Sequence, residues 1–482
     1  MDQILYWNEV SLEANLVSHT NGKNEQTGPT LSSRALAIVH LAMYDAFVGV
    51  SNSTSLTPYL PSPPLPPGPL PPASVDAAIA AAAHATLSKL FPSQKRFFDL
   101  KHAGAGLLGP GLKEGHEFGV RVAQEMLDDR KDDPDAGDDG YAASVARGAH
   151  RPDPDNPDQG FHAPFYGARS KLFAATKRYE LKPPPQPSTA PGPYTDALQQ
   201  VRRRGIAPEL MGTLPSGSSR RTVDETLIGV FWAYDGAVGL GTPPRLYNQI
   251  VREVAEKNSN TLEANAKLFA LVNTAMADAG ILAWDQKYIH DLWRPVVGIR
   301  EHDTSMGPAA NQGGNIINGE SQPDWLPLGA PSSNSTGKKN ATPPFPAYPS
   351  GHATFGAAAF HVTRLFYGEK VGNRDKDELL KGLVFVSDEH NGVNQDNKGT
   401  VRPRHVRNFP DGLWQMIVEN GRSRVFLGVH WVFDAFAVKN NGSPDLGQNV
   451  GGVPLGLTIA EDIFDKGTNK KTVNKSNVGP TF

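Results

Sequence analysis

Apolar residues recur at helical spacing in segment after segment of this 482-residue chain, strand-like alternation is scarce, and stretches rich in proline and glycine separate the segments. Such a pattern folds into stacked helical bundles, a mainly α protein with long ordered loops. Ser32 or Ser33 is placed to cap a helix through RALAIVHLAMYDAFVGV, and Ser74 to cap an Ala-rich helix from 75 to about 90. Further helices are predicted at 115–129, 222–234, 243–257, 261–293, 351–367, 376–391 and 411–426. No composition shift divides the helical body. We therefore expect one large domain over 1–482, with an N-terminal bundle over about 1–200 and a C-terminal bundle over about 205–465. The nine prolines between 58 and 72 exclude helix there and predict an extended connection. The acidic runs DDPDAGDDG and PDPDNPDQG lack the spacing and terminal Glu of an EF-hand.

Composition removes several function classes. Without a cysteine the chain has no disulfide, no thiolate metal site and no thiol nucleophile. Its 47 Lys and Arg nearly balance 50 Asp and Glu, so a nucleic acid is not expected as a partner. No run of about 18 consecutive apolar residues occurs. The opening residues lack a signal-peptide pattern, so we expect a soluble protein without a membrane span, with export and oligomeric state left open.

Three segments of the C-terminal half combine cations or histidines with backbone suited to an anion. In the first, Lys287 and Arg294 lie seven residues apart. On a continuous helix both would project from one face, about 10 Å apart along the axis. Pro295 disfavours helix at Arg294, placing the guanidinium where the helix ends. In the second, PPFPAYPSGH runs into an Ala-rich helix. Free N–H groups at that start, the Ser350 hydroxyl and a close approach at Gly351 make an oxyanion cradle with His352 at its lip. The alternative is that Ser350 merely caps the helix. In the third, Arg424 and His430 would diverge by about 240° on an unbroken helix. A break near Gly428 would let them converge and let Asp434, one turn beyond His430, orient the imidazole. The alternative there is an amphipathic core helix with a satisfied histidine.

The order Lys-x6-Arg-Pro, Pro-Ser-Gly-His, Ser-Arg-x5-His-x3-Asp resembles the three-part motif of vanadium-dependent haloperoxidases and the related acid phosphatases. FWAYDG, GTPPRLYNQIVR, FPAYPSGHATFG and FLGVHW are similar to fungal vanadium haloperoxidases of the chlorinating type, and the likeness extends thinly through ILYWNEVSLEANLVSHT and FHAPFYG. The resemblance implies a vanadate cofactor in the C-terminal bundle. It makes His430 the single metal ligand, with Lys287, Arg294, Ser350, Gly351 and Arg424 on the other oxygens and His352 as acid or base. It pairs Asp235 with Arg424 and puts Trp284 and Phe345 on the halide side. The family position of Phe345 is Phe in chlorinating fungal enzymes and His in brominating algal ones. Hydrogen peroxide, halide and small organic acceptors are then the partners. His290, His361 and His390 depart from the pattern and are read as surroundings rather than ligands. Two alternatives stand beside this reading: a phosphoester hydrolase acting through a phosphohistidine at His430, and a non-catalytic oxyanion-binding scaffold using the proline-rich segment.

Overall fold

The structure, a computed structural model, describes residues 2–482 except 52, 54, 62, 64–73, 309, 311–316, 318–319, 376–378, 469–475 and 477–482. Most of the proline-rich connection and the start of the helix expected at 376–391 therefore lie outside the described residues. In chain order the helices are α1 (Gln3–Ser18), α2 (Gly28–Ser51), α3 (Val75–Leu90), α4 (Lys95–Ala103), α5 (Leu112–Asp129), α6 (Tyr166–Arg169), α7 (Pro193–Arg204) and α8 (Val223–Phe231). They continue with α9 (Pro243–Lys257), α10 (Leu262–His290), α11 (Pro295–Glu301), α12 (Gly351–Phe366), α13 (Gly412–Phe426), α14 (Val432–Ala435) and α15 (Gly452–Lys466). Among the described residues, strand structure is confined to two short antiparallel pairs, Leu383–Phe385 with Arg407–Phe409 and Ala437–Val438 with Pro444–Asp445.

The apolar stripes meet as bundles. On one side α2 packs on α3 and α3 on α5; on the other α12 packs on α15 and α13. Helix α10 lies against both α2 and α12 and joins the two groups, and one apolar core runs from Ile4 to Ile463. The α12–α15 crossing is close because α15 presents glycine: a Cβ on Gly456 would come within 2.4 Å of the Thr354 carbonyl. By length and composition α2 and α10 could cross a membrane, but 89% and 94% of their apolar stretches are buried inside the molecule.

Two loop segments are held by buried carboxyl groups that take up their backbone N–H groups. Asp278 on α10 accepts from the backbone N–H groups of Phe173, Ala174 and Ala175, and Asp45 on α2 from those of Tyr59 and Leu60.

Four expectations change. Helix α2 starts at Gly28, not at Ser32 or Ser33, because Pro29 suits its first turn. The two buried hydroxyls instead donate to the carbonyls of Gln26 and Thr30. Ser74 does cap α3, accepting from Ala77 N–H at 3.2 Å. The helix expected at 376–391 is replaced in its described part by the strand Leu383–Phe385 and a 3-10 turn at Asp388–His390, capped by Ser387. The helix expected to run to 293 ends at His290, where Asp291 takes a left-handed conformation. Fourth, the helix expected over 222–234 stops at Phe231, and Tyr234 has a φ of 44°.

Candidate active site

The end of α10, the start of α12 and the end of α13 converge on one buried point. Lys287 is on the last turn of α10 and Arg294 on extended backbone just before α11. The two cations therefore do not share one continuous helix face as the spacing predicts; the Asp291 cap turns the chain and Pro295 keeps Arg294 out of helix. Ser350 is the N-cap of α12, accepting from Ala353 N–H at 3.4 Å, and Gly351 opens the helix. Helix α13 ends at Phe426, and Gly428 turns the chain with a φ of 76°, which brings His430 back toward Arg424.

His430 has partners on both nitrogens. Nδ1 lies 2.7 Å from Asp434 Oδ2, which also accepts from Trp431 N–H, so Nδ1 carries the proton. Nε2 then holds the lone pair, 2.9 Å from Arg294 Nη1. Burial, then Arg294, Lys287 and Arg424, hold the His430 pKa well below the usual imidazole value, so the ring is neutral. A neutral imidazole with a carboxylate behind it is the form that ligates a metal.

The cations are bound on one side and open on the other. Arg424 donates from Nη1 and Nη2 to the two oxygens of Asp235 at 3.1 and 2.7 Å, and its Nε is buried without a partner. Arg294 donates to the carbonyls of Phe345 and Val429, while Nη2 is buried and unpartnered. The Lys287 ammonium donates to the carbonyls of Pro346, Ala347 and Pro349 and lies over the Trp284 and Phe345 rings, 5.5 and 5.0 Å from their centroids. Burial first and mutual repulsion second push the Lys287 pKa far down; burial and Arg424 bring Arg294 to about 9 despite Asp434.

His352 Nε2 lies 2.6 Å from the Ala233 carbonyl and must donate to it, which leaves Nδ1 as the basic nitrogen. Burial and Arg424 lower the His352 pKa to about 3, so the ring is neutral. A cavity of about 500 Å³ opens over the site; His352, His430, Arg424, Gly351, Trp284 and Phe345 are on its wall, while Lys287, Arg294 and Ser350 lie just behind. The Trp284 and Phe345 rings are 4.8 Å apart.

The chain matches the model of the vanadium chloroperoxidase N-terminal domain over residues 1–99 and that of the VCPO second helical-bundle domain over 267–454. It is 35% identical to the vanadium chloroperoxidase of Curvularia inaequalis, over 96% of this chain and 90% of the relative. The chain belongs to the vanadium chloroperoxidase family. Its fold is that of a bacterial vanadium-dependent iodoperoxidase (TM-score 0.63, 19% identity, 97% of each chain). It also matches a holo-type bacterial vanadium-dependent chloroperoxidase (TM-score 0.57, 15% identity, 94% of this chain and 95% of the other).

Two cavity histidines escape sequence reasoning. His162 accepts Trp284 Nε1–H and the Tyr288 hydroxyl on its carbonyl, donates its N–H to the Pro344 carbonyl, and so ties the first segment to the second. His19 lines the cavity from the loop after α1. The segment FHAPFYG was the available signal for His162; no spacing pattern marks its role. His290, His361 and His390 lie off the cavity wall: His290 is edge-on to Tyr348, His361 is 3.2 Å from Glu461, and His390 is near His405.

Proposed function

We propose that this site holds vanadate and oxidises halide with hydrogen peroxide to hypohalous acid, which halogenates small organic acceptors. The observation that carries the reading is charge. Three basic side chains, Lys287, Arg294 and Arg424, meet in a buried space beside two carboxyl groups among the described residues, Asp235 and Asp434, with orphaned donors on both arginines. A multiply charged tetrahedral oxyanion supplies the missing charge and acceptors. Vanadate fits, because the same space offers the neutral Nε2 of His430 as a single ligand. Lys287, Arg294, Ser350, Gly351 and Arg424 would hold the remaining oxygens.

Bound vanadate supplies a V(V) Lewis acid that activates peroxide without changing oxidation state. The chain's residues do the rest. Asp434 fixes the His430 tautomer, and the Asp235 pair fixes Arg424. His352 Nδ1 takes a proton from incoming peroxide. Trp284 and Phe345 exclude water on the halide side and hold the Lys287 charge in a poorly solvated place, where it acts at greater strength. The reaction balances as halide, hydrogen peroxide and one proton giving hypohalous acid and water. Phosphate shares the shape that the cradle reads, so a phosphohistidine route at His430 is the second reading; the 35% identity to a chloroperoxidase weighs for the first. A scaffold that only binds oxyanions has no use for a proton-accepting His352 beside a ligating His430. In the same reading, α2 and α10 are core helices and not membrane spans, and the bundles divide near residue 200.

The test is equilibrium dialysis with orthovanadate. One vanadate per chain, displaced by phosphate and lost in His430→Ala but retained in His352→Ala, is expected. Retention by His430→Ala with loss in His352→Ala would reverse the two roles, and equal retention by both would remove His430 as the ligand.

A further inference from the structure

The cavity over the site is larger than halide oxidation requires. It holds about 500 Å³, whereas a water occupies about 30 Å³ and peroxide or a halide ion is of the same order. Pockets for drug-sized organic molecules span about 300–1,000 Å³.

The lining changes character from the buried end to the exposed end. Trp284, Phe355, His352 and Arg424 are buried, Phe345, Pro343 and Pro344 are half-buried, and Asn156 and Lys338 are exposed. Asp235 is the one carboxylate on the wall among the described residues, and Arg424 already holds it. The Lys338 ammonium meets no acceptor among the described residues. The cavity thus has an apolar waist, a reactive floor and an uncommitted cation at its mouth.

We propose that this cavity binds the organic acceptor itself, an electron-rich phenol carrying a carboxylate, with the ring against Phe345 and Pro343–Pro344 and the carboxylate on Lys338. The inference rests on the halide-oxidising reading and deepens it. Hypohalous acid formed on the floor meets the ring before it escapes. A ring carbon bonds to the halogen, the O–X bond breaks, and the departing hydroxide leaves with the displaced ring proton as water. The carbon is oxidised and the halogen falls from +1 to −1, so no further reagent is needed. A phenolic oxygen activates the ring, and the anion at the far end sets which ring carbon faces the floor.

The experiment has two arms. Phosphate-loaded protein, which cannot turn over and whose inner cations are covered, is titrated calorimetrically with 3-hydroxybenzoate and with neutral 3-hydroxybenzyl alcohol. Lys338→Glu should weaken the benzoate about tenfold, the worth of one charge-assisted contact, and the alcohol by less than about twofold. In the second arm, vanadate-loaded protein brominates 3-hydroxybenzoate. Its ratio of ring positions should differ from that given by reagent hypobromous acid, and Lys338→Glu should move it toward the reagent ratio. No binding to the phosphate-loaded protein, equal binding by Lys338→Glu, or the reagent ratio from the parent protein would overturn the proposal. A vanadate-loaded protein that oxidises no halide would strike the proposed function instead, and the titration would still stand.

Discussion

Replacing Asp434 with asparagine separates metal ligation from simple anion attraction. Asp434→Asn keeps the shape that accepts His430 Nδ1–H at 2.7 Å but removes the charge that this carboxyl, pushed up to about 7 by burial, carries above that pH, where the titrations are run. Two effects oppose each other. The carboxylate sits across the imidazole from Nε2, so an anion beyond Nε2 lies about 7 Å from it, and at an effective dielectric near 20 the lost repulsion is worth about 2 kcal/mol per unit charge before solvent screening. An oxyanion held by charge alone should therefore bind as well or better. A metal on Nε2 also loses ligand basicity and ring orientation, about 10–100-fold in affinity for such changes. The vanadate-to-phosphate affinity ratio should fall by about that 10–100-fold, while phosphate does not weaken. Calorimetric titration of parent and variant with each anion reads the ratio, and circular dichroism checks the fold. If both anions weaken by the same factor, Asp434 acts only on the shape of the site and the His430 ligand assignment loses its support.

Three further outcomes follow from named contacts. Gly428→Ala puts a Cβ 2.4 Å from the Gly205 carbonyl at a φ of 76°, so denaturant unfolding should show a loss of about 2–4 kcal/mol; a loss below about 0.5 would contradict the tight turn. Phe345→His replaces an apolar wall with a hydrogen-bonding ring, so chloride turnover should fall more than bromide turnover in bromide-free assays of a cyclic diketone; equal losses would remove Phe345 from halide selection. His40 is buried between Asn8 and the Leu36 carbonyl, and burial lowers its pKa to about 4. Between its unfolded value near 6.5 and about 4 the unfolded chain binds the extra proton, so this group withdraws up to about 3 kcal/mol as pH falls. His40→Gln should flatten the fall of Tm over that window relative to the parent, a difference that cancels the opposite trend of buried carboxyls such as Asp45, raised to about 7; parallel curves would refute the linkage.

Much of the site was legible in sequence because its chemistry lies in short segments with backbone signatures. Pro295 marks the end of helix before Arg294, Gly428 marks the turn that reunites Arg424 with His430, and Ser350-Gly351 marks a helix start. What the spacing could not show was the Asp291 cap, since an aspartate in left-handed conformation has no distinctive sequence context, and so Lys287 and Arg294 looked like neighbours on one helix. Helix α15 was missed because GVPLGL carries two glycines and a proline that lower helix propensity, whereas α12 needs those glycines for close approach. The strand at Leu383–Phe385 replaced an expected helix because its partner, Arg407–Phe409, is more than twenty residues away and local periodicity cannot see it. His162 and His19 reach the cavity from the N-terminal half through tertiary contacts alone.

The most direct measurement is halide oxidation by hydrogen peroxide after dialysis against EDTA and phosphate, with and without added orthovanadate. The account predicts no turnover in the stripped protein, recovery with about one equivalent of vanadate per chain, and loss of that recovery as phosphate is added back. Full turnover in rigorously vanadium-free protein would contradict it.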